Sequence, residues 1–389
     1  MGDVAEKVTE KNKNGEFIET LTNSAEHGII SQRDFFDKDI SNAKNLDTYY
    51  VVRPDDFVYN PRISNSAPVG PIKRNLLGRT GVMSPLYYVF RLNKHNATFV
   101  EKYFDTTYWH IFMQMNGDSG VRSDRFNIKD SLFEEIPLPF PSIAEQTAIG
   151  NFFRTLEDLI TFQQRKLGVL KELKKGYLQQ MFPQSGEKVP RVRFKGFSGE
   201  WKERKLGDIV ERVTRKNADL DSRLPLTISA RYGLIDQTEF FDKQVASRDI
   251  SGYFLVKNGE FAYNKSYSNG YPWGAVKRLD RYAMGVLSTL YIVFSPTDVE
   301  SEFLVQYYET NNWHTEVAKR ATEGARNHGL LNITPSDFFE TMLMIPTTDY
   351  EQTAIGNFFR TLDNQITTQT QKLEHLKKLK SAYLQKMFV

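Results

Sequence analysis

Two copies of one segment, 206 residues apart, constrain this chain more than any other feature of its sequence. The copies read EQTAIGNFFRTLEDLITFQQRKLGVLKELKKGYLQQMF (145–182) and EQTAIGNFFRTLDNQITTQTQKLEHLKKLKSAYLQKMF (351–388), and 26 of the 38 aligned positions are identical. The sequence before each copy is far less alike. The chain is therefore a tandem duplication of a variable globular segment, here called a head, and a nearly constant long segment. Two similar scaffolds with two different heads indicate a protein that reads two different things at a fixed separation.

Weaker matches extend the duplication into the heads. Phe57–Asn60 aligns with Phe261–Asn264 at an offset of 204, and Trp109-His110 aligns with Trp313-His314. The drift of the offset from 204 to 206 requires only short insertions, which loops tolerate. We therefore predict a first head over residues 1–144, a long helix over 145–182, a linker over 183–200, a second head over 201–350 and a second long helix over 351–389.

Each head is expected to combine short strands with helices, which makes the fold class α/β. Apolar and aromatic runs predict strands at Tyr49–Val52, Phe57–Tyr59, Leu86–Leu92, Leu255–Val256, Phe261–Tyr263 and Leu290–Phe294. Helix-like spacing marks Phe99–Met115 and Phe303–Thr322. The three prolines of Ile136–Pro141 predict an extended lead into the first long helix, because proline cannot donate and disfavours helix before it.

The two long segments have the 4,3,4,3 spacing of a coiled-coil seam. The first seam comprises Ile149, Phe153, Leu156, Ile160, Gln163, Leu167, Leu170, Lys174, Tyr177 and Met181; the second comprises Ile355, Phe359, Leu362, Ile366, Gln369, Leu373, Leu376, Lys380, Tyr383 and Met387. Polar seam residues cost stability but fix register, which assigns that role to Gln163, Lys174, Gln369 and Lys380. We expect the helices to pair antiparallel and to separate the two heads, which a pseudo-twofold axis would relate. The alternative is that each helix packs only on its own head.

Composition bounds the function classes. The chain contains no cysteine, so disulfides, thiolate chemistry and cysteine-based zinc sites are excluded. No apolar run of about 18 residues is present, and the first twenty residues are charged and polar, which predicts a cytoplasmic protein without a membrane segment. The net charge of +3 neither requires nor excludes nucleic acid.

Motifs of catalysis are missing from the sequence. It has no dinucleotide-binding or P-loop glycine pattern, and the Asn-Pro-Pro-Tyr/Phe motif of amino-methyltransferases is approached only by Asn60-Pro61-Arg62. No two of the six histidines have the spacing of metal ligands. His110 and His314 recur, but each follows a tryptophan within a predicted helix, which favours packing over catalysis. No metal site is therefore predicted.

Polar, aromatic and basic loops recur in both heads while their side chains differ, which favours DNA contact over solvated loops with incidental charge. Arginine suits guanine edges and phosphates, asparagine suits adenine, and tyrosine hydroxyls suit either. The candidate DNA-binding residues of the first head are Tyr59, Asn60, Arg62, Lys73, Arg74, Arg79, Arg122 and Arg125. Those of the second head are Asn264, Lys265, Tyr267, Tyr271, Lys277, Arg278, Arg326, Asn327 and His328.

The repeated Glu-Gln-x-Ala-Ile-x-x-Phe-Phe start and Leu-x-x-Met-Phe end of the long segments, each after a variable head, resemble the specificity subunit of type I restriction–modification systems. The resemblance covers the whole chain. It implies that each head is a target-recognition domain reading one half of a bipartite, asymmetric target in double-stranded DNA, with the antiparallel coiled coil as a ruler.

The same resemblance implies a subunit without catalytic activity or a cofactor of its own. Two methyltransferase subunits would bind it and supply S-adenosylmethionine binding and adenine methylation. Restriction and translocase subunits, which use ATP and magnesium, would join through that complex. Two alternatives remain: a self-contained DNA-modifying enzyme, which would need a cofactor motif, and a coiled-coil scaffold whose heads bind protein, which would show no salt-dependent DNA binding.

Overall fold

The computed structural model describes residues 1–36, 43–118, 124–229, 232–242, 246–266, 270–321 and 331–388. The chain forms two compact units, Met1–Gln164 with Gln371–Val389 as unit 1, and Arg165–Thr370 as unit 2. Each unit therefore holds one head together with part of each long helix. None of the helices in these ranges is long and apolar enough to span a membrane.

The first head combines short strands with short helices. Its strands are β1 (Ala5–Lys7), β2 (Leu21–Ser24), β3 (Gly28–Ser31), β4 (Tyr50–Val52), β5 (Phe57–Tyr59), β6 (Ile72–Arg74), β7 (Gly81–Met83) and β8 (Tyr88–Leu92). Its helices are α1 (Gln32–Phe36), a 3-10 helix (Ala43–Thr48), α2 (Ala97–Phe104), α3 (Tyr108–Asn116) and α4 (Asp130–Glu134), and the long helix α5 (Ile143–Gln180) follows.

A four-stranded antiparallel sheet in the order β1-β8-β5-β6 forms the centre of this head, and the pairs β2-β3 and β4-β7 pack beside it. All three residues of β5 are buried. Since successive side chains of a strand point to opposite faces, Phe57 and Tyr59 enter the core beneath the helices, whereas Val58 enters a smaller core with Val52 and Leu21. Phe57 stacks on Phe90 of β8 at 5.3 Å between ring centroids.

The second head repeats this plan. Its strands are β9 (Lys202–Lys205), β10 (Val210–Arg212), β11 (Leu226–Ser229), β12 (Gly233–Asp236), β13 (Phe254–Lys257), β14 (Phe261–Asn264), β15 (Ala275–Arg278), β16 (Met284–Leu287), β17 (Ile292–Pro296) and β18 (Met342–Ile345). Its helices are α6 (Leu206–Ile209), α7 (Gln237–Phe241), α8 (Ser301–Tyr307), α9 (His314–Arg320) and α10 (Pro335–Phe339), and the long helix α11 (Asp349–Lys386) follows.

The central sheet of the second head has the order β10-β17-β14-β15, and β11-β12, β13-β16 and β18-β9 pair beside it. Phe261 stacks on Phe294 at 5.4 Å, as Phe57 does on Phe90. The sequence match between the heads is therefore a match of sheet position. Met344 and Ile345 lie in β18.

One helix prediction differs from the structure in each head. The segments 99–115 and 303–322 have continuous helix-like spacing, but each contains two helices, α2 and α3 in the first head and α8 and α9 in the second. A buried threonine marks each break: the Thr106 hydroxyl donates to the Tyr103 carbonyl at 2.6 Å, and Thr310 donates to Tyr307 at 2.7 Å. The backbone amide of each threonine donates to the same carbonyl, at 3.0 and 3.1 Å, so both donors of the threonine close the end of the helix.

The long helices pack together, and the predicted antiparallel pairing is confirmed in each unit. In unit 1, Phe152 of α5 meets Tyr383 of α11 at 4.9 Å between ring centroids, while Glu157 meets Lys380. In unit 2, Lys174 meets Asp363, and Tyr177 meets Phe358 at 5.0 Å. Partner numbers fall along α11 as they rise along α5, so the helices run in opposite directions. The predicted seam residues are buried or half-buried, except Tyr383, which is 37 % exposed.

Each long helix ends in the core of the head that belongs to the other repeat. Met181 and Phe182, from the end of the first repeat, belong to the main core of unit 2. Phe388, from the end of the second repeat, belongs to the main core of unit 1, where it lies 5.2 Å from Phe99. Residues 183–200, for which the sequence allows an ordered crossover or a flexible linker, are ordered: Arg193 forms a bidentate ion pair with the buried Glu351 at 2.6 and 2.7 Å.

Candidate nucleic-acid interface

A loop between β5 and β6 contains the first group of predicted DNA contacts. Its two ends are fixed by hydrogen bonds, since the Tyr59 hydroxyl donates to the Val69 carbonyl at 2.9 Å and the Asn60 side-chain oxygen accepts from the Arg62 amide at 3.0 Å. Gly70 closes the loop with a φ of +82°, and a Cβ there would lie 2.1 Å from the Asn60 carbonyl oxygen. Only glycine fits a position with both this φ and this contact.

The loop between β14 and β15 has the same frame with different contents. The Tyr263 hydroxyl donates to the Trp273 carbonyl at 2.8 Å, and the Asn264 side-chain oxygen accepts from the Ser266 amide at 2.9 Å. Gly274 has a φ of +81°, and a Cβ there would again lie 2.1 Å from an asparagine carbonyl oxygen, that of Asn264. The heads therefore share the atoms that hold the loop and differ in the residues that it displays.

A second loop joins the first at the same place in each head. In head one, the Phe126 amide donates to the Pro61 carbonyl at 2.7 Å, and Arg62 and Arg125 form an antiparallel bridge. In head two, the Leu331 amide donates to the Lys265 carbonyl at 2.9 Å. Each head thus presents two neighbouring loops.

The two neighbouring loops of each head are here called the DNA platform. In the first head, Arg62 and Arg125 are the predicted cations that the DNA platform leaves accessible. Arg62 is exposed and has one loose ion pair, 3.5 Å to Asp124, whose side chain is also exposed. Arg125 is half-buried, and within the described residues it has no ion pair. In the second head, Tyr271 is 38 % exposed, and the Lys265 ammonium donates to the Ile333 carbonyl at 3.3 Å.

Tyr59 lies in the protein interior rather than at the surface of the platform. It is 3 % exposed and stacks on Phe133 at 4.8 Å. Burial raises the pKa of its hydroxyl well above the usual range, and that hydroxyl already donates to Val69. We therefore assign Tyr59 to the frame of the loop instead of to DNA. Asn60 has a mixed position, since its side-chain nitrogen donates to Asn23 at 2.8 Å while the residue remains half-exposed.

The cations of β6 and β15 are engaged within their heads. Lys73 pairs with Asp105 at 2.9 Å and its counterpart Lys277 with Glu309, while Arg74 pairs with Glu101 at 3.0 Å. Arg278 pairs with both Asp280 and Glu302. Burial opposes the charge of Arg278, but these carboxylates outweigh it and raise the pKa of the guanidinium. Their repeated ion pairs give these cations a structural role.

Arg79 is more exposed but is also paired, with both Glu19 oxygens at 2.7 Å. Five of the candidate contacts, Arg122, Tyr267, Arg326, Asn327 and His328, lie outside the described residues. The recurring histidines are half-buried beside their tryptophans, and burial lowers the pKa of both His110 and His314. In the described parts of the chain, no group of three histidine, aspartate or glutamate side chains could hold a metal ion.

The seam lysines have acidic partners that the sequence analysis did not single out. Lys380 pairs with Glu157 in unit 1 and Lys174 with Asp363 in unit 2, both at 2.6 Å. Glu157 also forms an ion pair with the buried Lys102 of the first head at 2.7 Å. Asp363 instead accepts a hydrogen bond from the neutral Gln306 of the second head at 3.2 Å. Glu157 and Asp363 occupy equivalent positions, 206 residues apart. This repeated acidic position is the sequence feature from which the two partners could have been predicted.

Comparisons with known proteins agree with this architecture. Residues 198–378 match the model of the type I restriction modification DNA specificity domain. One similar solved chain comes from a structure of complex assembly and conformational transition in a type I R-M system; it shares 12 % identity, with coverage of 100 % of this chain and 96 % of that one, at a TM-score of 0.53. The type I restriction-modification S subunit from M. genitalium shares 14 % identity, with coverage of 100 % and 94 %, at a TM-score of 0.56. These likenesses show the fold. The search of curated sequences found no significant match.

Proposed function

We propose that the chain is a specificity subunit of a type I restriction–modification system and that each head reads one half of a bipartite DNA target. The family is non-catalytic, and its members are the DNA specificity subunits of those systems. The first head would read one half-site through the platform around Arg62 and Arg125. The second would read the other through the loop from Asn264 to Tyr271.

The observation that carries this proposal is the shared frame with divergent contents. Both loops are held by a tyrosine hydroxyl, an asparagine side chain and a glycine at equivalent positions. Between these fixed points the first head has Pro61–Val69 and the second has Lys265–Trp273, which differ at six of the nine aligned positions. Base edges are read by side chains placed on a fixed backbone, so such a frame suits two readers of different sequences.

The long helices are proposed to set the spacer between the half-sites and to dock two methyltransferase subunits. S-adenosylmethionine would then be bound by those subunits, and ATP with magnesium by the restriction and translocase subunits that join them. We assign register to the polar seam residues, because the pairs Lys380–Glu157 and Lys174–Asp363 form at one alignment of the helices. Slipping either helix by a heptad would leave charged groups against apolar seam residues.

Exchange of one head tests the two-reader proposal. The chain and a variant whose residues 1–144 come from a relative would each be co-expressed with the methyltransferase subunit, and methylated adenines would be mapped across the genome. We expect one half-site to change while the other half-site and the spacer stay the same. A simultaneous change of both half-sites, in a variant that still methylates, would overturn the proposal.

A further inference from the structure

Each head exposes a pair of adjacent phenylalanines that neither the core nor the DNA platform uses. Phe35 and Phe36 of α1 are 42 % and 37 % exposed, and Phe240 and Phe241 of α7 are 43 % and 41 % exposed. Neither helix contains a buried residue. The rings of each pair meet edge to face, at 4.6 Å in the first head and 4.8 Å in the second.

The two pairs are held in the same way. Each follows a two-stranded hairpin, β2-β3 or β11-β12. The helix start is anchored by a backbone hydrogen bond of 2.8 Å in both heads, from the Gln32 amide to the Thr20 carbonyl and from the Gln237 amide to the Pro225 carbonyl. The repeat therefore preserves both the exposed rings and their edge-to-face contact.

Preservation on the surface indicates a partner common to both heads. Features that read DNA are expected to differ between heads with different half-sites, as the platform loops do. Exposed apolar side chains gain free energy only when a partner covers them. Two phenylalanines repeated at equivalent exposed positions therefore point to one kind of partner that binds each head once.

The charges beside the second pair favour a protein over DNA. In the sequence, the first pair is flanked by Arg33, Asp34, Asp37 and Lys38, and the second by Glu239, Asp242 and Lys243. Glu239 and Asp242 are exposed. Carboxylates beside the rings would repel phosphates and complement a pocket rimmed by lysine or arginine. A cleft of about 470 Å³ lies beside α7 and is lined by Arg223 and Arg248. Because two arginines could bind phosphates, DNA binding is one outcome of the test.

We infer that each phenylalanine pair docks one methyltransferase subunit through an apolar pocket, which in the second head would have a basic rim opposite Glu239 and Asp242. The inference rests on the proposed function, in which two such subunits bind the chain, and it adds a contact on each head to the docking proposed for the helices. Paired aromatic anchors are typical of the side chains that dominate protein interfaces.

Subunit stoichiometry tests the inference. The full chain would be co-purified with its methyltransferase and measured by native mass spectrometry over a dilution series, with wild type expected to bind two copies. Phe35→Ala with Phe36→Ala should weaken the binding of one methyltransferase copy by at least about 30-fold. The same change at Phe240 and Phe241 should weaken the binding of the other copy. Glu239→Lys should also weaken the copy at the second head. Ile111→Ala is the matched control, since Ile111 is 59 % exposed and its counterpart is Thr315.

The remaining outcomes each identify an error. If wild type binds no methyltransferase, the proposed docking function fails. If wild type and all variants bind two copies equally, only the phenylalanine inference fails. Weaker DNA binding by the isolated alanine variants, with tighter binding by Glu239→Lys, would mean that the pairs contact DNA. Loss of self-association would mean that they contact a second copy of the chain. If the alanine variants fail to fold, Glu239→Lys alone still tests whether the second pair binds the methyltransferase, because this surface change leaves the rings in place.

Discussion

At the scale of single residues, Lys102 holds together three carboxylates that would otherwise repel one another. It is 3 % exposed and lies 2.7 Å from both Glu101 and Glu157 and 3.3 Å from Asp105. Burial alone would lower the pKa of Lys102, but the three carboxylates raise it overall. For Asp105, burial opposes the charge, but Lys73 and Lys102 outweigh it and lower the pKa of the carboxyl.

Removing this lysine should destabilise unit 1 in a pH-dependent way. Lys102→Met should cost about 1–3 kcal/mol at pH 7, because it removes the cation that the three carboxylates share and leaves each with one other partner, Arg74, Lys73 or Lys380. A carboxyl whose pKa is lower in the folded protein stabilises the fold above its unfolded pKa of about 4, and that contribution is lost as pH falls through the folded pKa. The deficit of the variant should therefore shrink at acid pH.

Urea unfolding at pH 7 and near pH 3 measures both values. Lys94→Met, at an exposed position of the same head, should change stability by less than about 0.5 kcal/mol. An equal deficit for Lys102→Met at the two pH values would contradict the electrostatic explanation and indicate a packing defect.

The loop glycines should be far less replaceable than glycines of the long helix. Gly274→Ala places a Cβ against the Asn264 carbonyl at a positive φ, so we expect a loss of about 2 kcal/mol or more and weaker DNA binding by the second head. Gly168→Ala, in α5 with no atom within 4 Å of its Cβ, should instead stabilise the helix by about 0.5–1 kcal/mol. Melting temperatures and binding to each half-site compare the two, and a tolerated alanine at Gly274 would mean that the frame is not rigid.

At the scale of elements, the seam ion pairs of the two units differ in what surrounds them. Reversing Lys174 to Glu sets it against Asp363, which should cost about 1–2 kcal/mol. Adding Asp363→Lys should recover part of that loss, since the new lysine meets the neutral Gln306, although the glutamate at position 174 would still be repelled by Glu309. In unit 1 the same exchange, Lys380→Glu with Glu157→Lys, should recover little, because the new lysine would face Lys102.

Double-mutant cycles, built from the free energies of unfolding in denaturant, measure how much stability each charge exchange recovers. Similar recoveries in both units would contradict the role assigned to Lys102.

Elements with a long periodic pattern were predictable from the sequence, whereas breaks and partners were not. The seam from Ile149 to Met181 could be identified because its spacing persists over five heptads. The break between α2 and α3 could not, because apolar spacing continues across it and the Thr106 hydroxyl that ends α2 gives no periodic signal. Lys73 and Lys277 have the composition of DNA contacts, and their partners Asp105 and Glu309 lie about thirty residues further along the chain. Only the fold brings those charges together, so the sequence could not show which of the predicted cations are paired within their head.

At the scale of the whole molecule, the helix length is proposed to determine the recognised spacer. One heptad inserted after Gln163 and another after Gln369 would preserve both seams. Each helix would lengthen by roughly 10 Å, which corresponds to about three base pairs at 3.4 Å each. The spacer should grow by a few base pairs while both half-sites stay the same. An unchanged spacer in folded, partner-bound protein would mean that the helices do not set this distance.

The antiparallel exchange of helix ends also has a consequence for biosynthesis. Unit 1 begins at Met1 but requires residues 371–389, including Phe388 in its core, whereas unit 2 is contained in residues 165–370. Domains usually fold in the order of synthesis, at about 5–20 residues per second. Here the head translated first is the last to be completed, and it waits roughly 10–40 s at that rate while residues 165–370 are made. A ribosomal product that stops between residues 371 and 387 would carry every residue of the second unit and an unfinished first one.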